Sequence, residues 1–353
     1  MGKPRSKRKG RSLTSKKVIR ALAGVCLVLT AGLAVAACGS GGSGGEENAA
    51  GARVYTLSTA DDPNRYMFYY PMLHDLVKDP EVKVEIELLP FASAAEAFLN
   101  RQYDIVEANW LNAAQGAEKD FNTKIISAGL LNTGLTSIIV PKDSPVKSPS
   151  DLKGKKLGIQ AQGTIFSTEA RALLQEKYGV NASLENGDVQ WVEVPEIPTL
   201  FRLLQKGDID AIIGTQLSTY QVVGDPGGPN KILTEVTKEY DAMTGAEATQ
   251  NSSFITYDDP GIPPKDVEAI QKLFQANTAY FKAHTAEIVD LVVKEEKAEK
   301  AYLDWTLENL SVDMGPVNPA QKKMIESGLE SAAKLDMISS VPNADSLIFQ
   351  PGS

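Results

Sequence analysis

The chain is poor in the side chains that build metal frameworks. Its 353 residues hold only two Cys, Cys26 and Cys38, and two His, His74 and His284. That is too few for a Cys/His zinc site, so neither a metal nor a cofactor is expected. Basic charge is scarce once the start of the chain is set aside. Residues 1–37 contain nine Lys or Arg and no acidic residue, while the other 316 carry 27 basic against 45 acidic side chains, a net of −18. An acidic body lacks the clustered cations that nucleic-acid phosphates require. Motifs for covalent chemistry are missing too. There is no GxSxG elbow between a strand and a helix, no P-loop and no HExxH. His74 and His284 fall in helical patterns away from any Ser or Cys nucleophile and read as surface or capping residues. The acidic pairs 61–62 and 258–259 each precede a proline and read as turns. An enzyme is therefore not expected. Outside residues 21–37 no apolar run approaches the ~20 residues of a spanning helix, so the body is not a channel.

What is present at the start is an address. A basic segment is followed by the uncharged run ALAGVCLVLTAGLAVAA at 21–37, then Cys38 and the Gly/Ser-rich stretch 39–52. A basic region, a short apolar run and small residues before a cleavage point define a secretory signal, here residues 1–37. Residues 35–38 (VAAC) resemble the bacterial lipoprotein box, which implies cleavage before Cys38 and lipidation of its sulfur. Residues 38–52 then form a flexible tether.

The body alternates strand and helix patterns. Strands are expected at 54–58, 82–88, 105–106, 125–128, 137–140, 156–160, 189–194 and 210–214. Helical spacing links them at 66–77, from a capping box at Ser93 through 99, after Thr164, and at 195–205. The tail is helical at 266–283, 286–310 and 318–335. Strands alternating with helices predict α/β layers. Residues 94–109 and 199–215 look like copies of one unit: helix, polar turn, Asp104 or Asp210, apolar strand, small polar exit. The pattern predicts two similar α/β lobes.

The run SPSDLKGKKLGI at 148–159 and the run LQKGDIDA at 204–211 resemble the type II substrate-binding lipoproteins of ABC importers, in the branch that takes nitrate, taurine, alkanesulfonates and vitamin precursors. The resemblance covers nearly all of 53–340. It implies two Rossmann-like lobes joined by crossing strands, with C-terminal helices. The lobes would divide as 53–137 for the first, 138–235 for the second, and 236–353 for the return and tail. It also implies a monomer that binds a small molecule between the lobes and passes it to a permease with its ATPase. A surface sensor, or an enzyme on the same fold, are the alternatives.

Open α/β sheets bind ligands beyond the carboxyl ends of their strands. That rule selects Ser58, Thr59, Asp61, Ser93, Asn109, Trp110, Asn132 and Thr133 in the first lobe. In the second it selects Gln162, Gly163, Thr164, Phe166, Gly214, Thr215 and Gln216, and on the returning segment Asn251 and Ser252. Thr164 opens a helix whose N-terminus can hold an anionic or carbonyl group. Glu107, inside a short apolar strand, needs either an ion-pair partner or a ligand cation. Arg65, Arg101 and Arg171 read as solvated helix positions. The candidates are rich in Asn, Gln, Thr and aromatics, which favours a neutral heteroaromatic over a sulfonate or nitrate.

Overall fold

The computed structural model describes Glu47 and residues 51–257 and 261–350, with the backbone alone for Phe91, Ala92, Ala95 and Glu96. The expected signal, Cys38, the first part of the tether, and Asp258 with Asp259 lie outside the described residues.

The chain runs β1 (Arg53–Ala60), α1 (Pro63–Leu73), β2 (Val82–Leu89), α2 (Phe91–Asn100), β3 (Ile105–Ala108), α3 (Trp110–Glu118) and β4 (Thr123–Ala128). A short strand β5 (Leu130–Asn132) carries it across to β6 (Ser137–Pro141), β7 (Lys156–Ile159), α4 (Ile165–Glu176), β8 (Gln190–Glu193), α5 (Ile197–Lys206), β9 (Ala211–Gly214), α6 (Gln216–Val223), β10 (Asn230–Glu235) and α7 (Val236–Thr244). It returns through β11 (Thr249–Gln250) to β12 (Ser253–Tyr257). The tail follows as α8 (Pro264–Ala283), α9 (Thr285–Glu296), α10 (Lys300–Asn309), β13 (Leu310–Val312), α11 (Pro319–Lys334) and α12 (Ala344–Leu347).

Two five-stranded sheets result, in the orders β2-β1-β3-β12-β4 and β8-β7-β9-β6-β10. In each, four strands run parallel and the fourth in order runs against them. That antiparallel strand, β12 or β6, arrives by a crossing from the other sheet. The copies read in the sequence thus occupy matching places. Asp104 accepts hydrogen bonds from the Thr56 amide (2.7 Å) and hydroxyl (2.8 Å) on β1. Asp210 accepts one from the Lys156 amide (2.9 Å) on β7. In both sheets an aspartate before the third strand ties down the first.

Central strands are buried on both faces, and so read as continuous apolar runs. Alternation then divides their side chains between two cores. Ile105, Ile126 and Phe254 face α1 and α8, whereas Val106, Ile125 and Ile255 face α3 and α11. In the second sheet Ile138, Val140 and Ile213 pack towards α4, and Ile139 and Ile212 towards α5. α7 packs on α4, so the chain stays with the second sheet beyond β10.

Several expected boundaries move. α2 begins at Phe91 with Pro90 as its N-cap, so Ser93 sits inside the first turn rather than capping it. Asn109 and Trp110 do not open a loop; Asn109 caps α3 and Trp110 is its first residue. Phe68 and Tyr69 are wholly buried, while Tyr66 and Tyr70 point their hydroxyls at Glu295. Tyr70 is itself 5% exposed in the same core, and Tyr66 packs against it. His74 and His284 are both helix C-caps, as expected. Among the described residues no helix is long and apolar enough to cross a membrane.

Candidate functional site

The carboxyl ends of the two sheets border one cavity of about 400 Å³. The first lobe contributes Ala60 at the end of β1, Arg65 from α1, Phe98 from α2, Glu107 and Ala108 from β3, and Asn109 and Asn112 from α3. The second contributes residues 161–166 and Glu193, and the returning strand adds Asn251 and Ser252. The first turns of α3 and α4 therefore face the same space from opposite lobes.

Both turns are capped by their own sequence. The Asn109 side chain accepts from the Asn112 amide (3.0 Å), and the Asn112 side chain accepts from the Asn109 amide (3.2 Å). The Thr164 hydroxyl accepts from the Ser167 amide (3.2 Å). One amide of each first turn is thereby satisfied, and the helix dipole leaves partial positive charge at the cavity wall. Thr164→Ala should cost about 1 kcal/mol through the lost cap, and a chemical denaturation curve would check it. Ile165, the first residue of α4, is 2% exposed and packs into the first lobe's core with Phe98 and Trp110. The two lobes are therefore in contact along one flank of the cavity.

The other wall is ionic. Arg65 donates to Glu107 (3.2 Å) and to Asp62 (2.7 Å), and the Thr59 hydroxyl also donates to Glu107. Burial opposes the charge of Arg65, yet Glu107 first and Asp62 second outweigh it and raise its pKa. The other Glu107 oxygen is buried and has no hydrogen-bond partner among the described residues. The Tyr69 phenol beside it is held well above its ordinary pKa, by burial first and by Glu107 second. Arg65 is therefore a cavity residue locked by two carboxylates, not a solvated one. The ion pair spans 42 residues of chain, so no local pattern announces it.

Of the residues selected from sequence, Asn109, Gln162, Gly163, Thr164, Phe166, Asn251 and Ser252 meet at the cavity. The rest lie elsewhere among the described residues. Ser58 and Thr59 are wholly buried inside β1, because that strand runs to Ala60. Asp61 is exposed, and its neighbour Asp62 makes the cap and the ion pair. Ser93 is half-buried within α2 and does not border the cavity. Trp110 is 2% exposed in the core against α11, where an α3 first-turn side chain points away from the cleft. Its ring fills the space over Gly328: a β-carbon there would lie 2.4 Å from the indole. Gly328→Ala is expected to cost about 1–3 kcal/mol by overpacking, seen as a lowered melting temperature.

Asn132 is buried in the crossing strand, donating to Thr237 (3.0 Å) and accepting from the amides of Gly134 and Leu135. Thr133 is exposed beside it. Gly214 is buried against Ile139 and Ser137. Thr215 donates to Gln160 (2.6 Å), and Gln216 reaches Thr306 of α10. These last three match Ala108, Asn109 and Trp110 in the repeat, but the tail covers their end of the second sheet. Arg171 is wholly buried, donating to the carbonyls of Ala182 and Leu335 (2.8 Å each). Asn112, Glu193 and Phe98 are cavity residues the sequence analysis did not select. Asn112 alone had a local signal, three residues after the Asn109 cap. No group of three or more metal-binding side chains gathers among the described residues.

Comparison with known proteins agrees with this arrangement. The fold is that of the periplasmic aliphatic sulphonate binding protein SsuA of Escherichia coli, at 14% identity and a TM-score of 0.64, covering 84% of this chain and 92% of the other. The alkanesulfonate-binding protein SsuA of Xanthomonas axonopodis pv. citri, bound to MOPS, superposes at 13% identity with a TM-score of 0.59, covering 84% and 98%. In sequence, 22% of the chain matches a 4,5-dihydroxyphthalate decarboxylase of Comamonas testosteroni at 32% identity. The chain spans only 30% of the length of that enzyme. A family profile described as ABC transporter, phosphonate, periplasmic substrate-binding protein matches residues 55–276. The match takes in both crossings and both cavity walls, and the chain belongs to this family of ABC-transporter periplasmic substrate-binding proteins.

Proposed function

We propose that this protein is an extracytoplasmic solute-binding lipoprotein, anchored through Cys38 to the outer face of the cell membrane, which delivers a small organic anion to an ABC permease. One observation carries the ligand class: the first turns of α3 and α4, from opposite lobes, border the same cavity. Helix N-termini hold anions without needing a free arginine. Phe98, Ile165 and Phe166 line the same space and suit an organic tail. A phosphonate or sulfonate with a short carbon chain meets both demands. This reading replaces the preference for a neutral heteroaromatic. It agrees with the family and with what the two sulfonate-binding structural neighbours are named for.

A thermal-shift panel of alkylphosphonates, alkanesulfonates, nitrate, pyrimidines and flavins tests it. Binding to the native state alone stabilises by about 2.7 kcal/mol at roughly a hundred times Kd. At least one phosphonate or sulfonate should raise the melting temperature. A shift with a pyrimidine or flavin alone would reverse the ligand class. No shift with any of them, together with unchanged solute uptake on deletion, would sink the transport reading. Radiolabelled palmitate incorporation, lost in Cys38→Ser, checks the anchor.

A further inference from the structure

The two crossings meet a buried acidic centre that the ligand cavity does not use. β5 and β11 pair antiparallel, with Asn132 opposite Thr249 and Leu131 opposite Gln250. Against this pair lie Glu169 of α4, fully buried, and Asp241 of α7, 7% exposed. Hydrogen bonds tie the two acids to both crossings. The Thr237 hydroxyl donates to Glu169 (2.9 Å) and accepts from the Asn132 side chain (3.0 Å) and the Thr136 amide (3.1 Å) on the outgoing crossing. The Thr249 hydroxyl on the returning crossing donates to Asp241 (2.6 Å).

Among the described residues no cation pairs with either acid. The groups that face Glu169 are Asp241 and Tyr240 from α7 and the hydroxyls of Thr136, Thr237 and Thr249. Arg171, two residues along α4, is turned to the carbonyls of Ala182 and Leu335. The second Glu169 oxygen is buried, and the group that faces it is the equally buried Thr136 hydroxyl rather than a cation. A buried carboxylate without a cation is stable only if it is neutral or if its surroundings open to water. Both crossings are tied to the acids through the Thr237 and Thr249 hydroxyls, so a change in the acids' charge acts on both crossings.

We propose that Glu169 and Asp241 form a proton-binding site on the hinge, so that protonation holds the two lobes in the arrangement described here and deprotonation frees them. Burial, the largest influence on each, raises Glu169 to about 7 and Asp241 to about 6. Acids raised in this way contribute stability that is full below the ordinary carboxylate range. That contribution is lost as pH rises through the raised values. The two acids titrate as a coupled pair rather than singly. Acid therefore tightens the hinge and neutral to mild alkaline pH loosens it.

Interlobe distance, read by fluorescence energy transfer, tests this without any ligand. The full chain with Cys26→Ser and Cys38→Ser has no other cysteine. Leu76→Cys and Leu184→Cys, at positions 46% and 45% exposed, place one dye on each lobe. Transfer efficiency is measured from roughly pH 5 to 8, the window these acids define. We expect it to change with a midpoint between about 6 and about 7, and the change to flatten in Glu169→Gln and in Asp241→Asn. Thr249→Val, which keeps both acids but unties Asp241 from the returning crossing, should leave the proton step and shrink the distance change. A flat profile in the otherwise unaltered chain overturns the proposal. So does an unchanged profile in Asp241→Asn, which decides the matter if Glu169→Gln does not fold.

Discussion

Replacing Arg65 by methionine is expected to destabilise the folded chain by about 3–5 kcal/mol, because it strands a buried carboxylate. The Glu107 side chain is 2% exposed and that of Arg65 16%. Without the guanidinium, Glu107 keeps the Thr59 hydroxyl as a hydrogen-bond donor but no cation among the described residues. The double substitution Arg65→Met, Glu107→Gln removes the stranded charge and should recover much of the loss, since replacing both partners of a buried pair is often near neutral. Equilibrium denaturation of the two single variants and the double variant closes the cycle. A loss below about 1 kcal/mol in Arg65→Met would show that the pair behaves as an exposed one. The same variants separate structure from binding. If the ion pair only shapes the cavity wall, the double variant should still give a thermal shift with the active alkylphosphonate or alkanesulfonate.

Trp110→Ala is expected to cost about 3–5 kcal/mol, the range for truncating a large aromatic in a core. The side chain is wedged between α3 and α11, with Gly328 directly beneath the ring. The rigid helix pair cannot collapse onto the void without losing the contacts of Ile325 and Leu329. Far-UV circular dichroism across a denaturant series measures the loss. Affinity for the anion probe should fall less than stability does, because the indole lies behind the α3 first turn and does not border the cavity. A stable variant that has lost binding would return Trp110 to the ligand.

These two residues mark where sequence reasoning worked and where it stopped. Trp110 was selected because it follows the third strand beside an amide, and its neighbour Asn109 does border the cavity. The strand exit was found, but the side-chain direction was not. Direction depends on the first turn of α3, where Asn109 caps and faces the cleft while the next residue rotates by roughly 100° into the core. Arg65 failed for a different reason. On a helix of unknown partners an arginine defaults to solvent, and only the register of β1 against β3 brings Glu107 within reach. The centre at Glu169 and Asp241 has no local pattern either. The two acids are 72 positions apart, on helices joined only through the packing of α4 on α7.

The sequence by itself determined the layered α/β plan and its duplication. Strands buried on both faces must be apolar throughout, and the matching aspartates before the third strands are spaced by local chain geometry. It also marked the Thr164 cap of α4, since such a cap is decided within three or four residues, but not the end of β1 or the start of α2. Only the tertiary structure decided which strand ends share the cavity and which are covered by the tail. It alone paired Arg65 with Glu107 and placed two buried acids against both crossings. Those outcomes rest on contacts between segments tens of residues apart, and no short-range pattern encodes the partner of a buried charge.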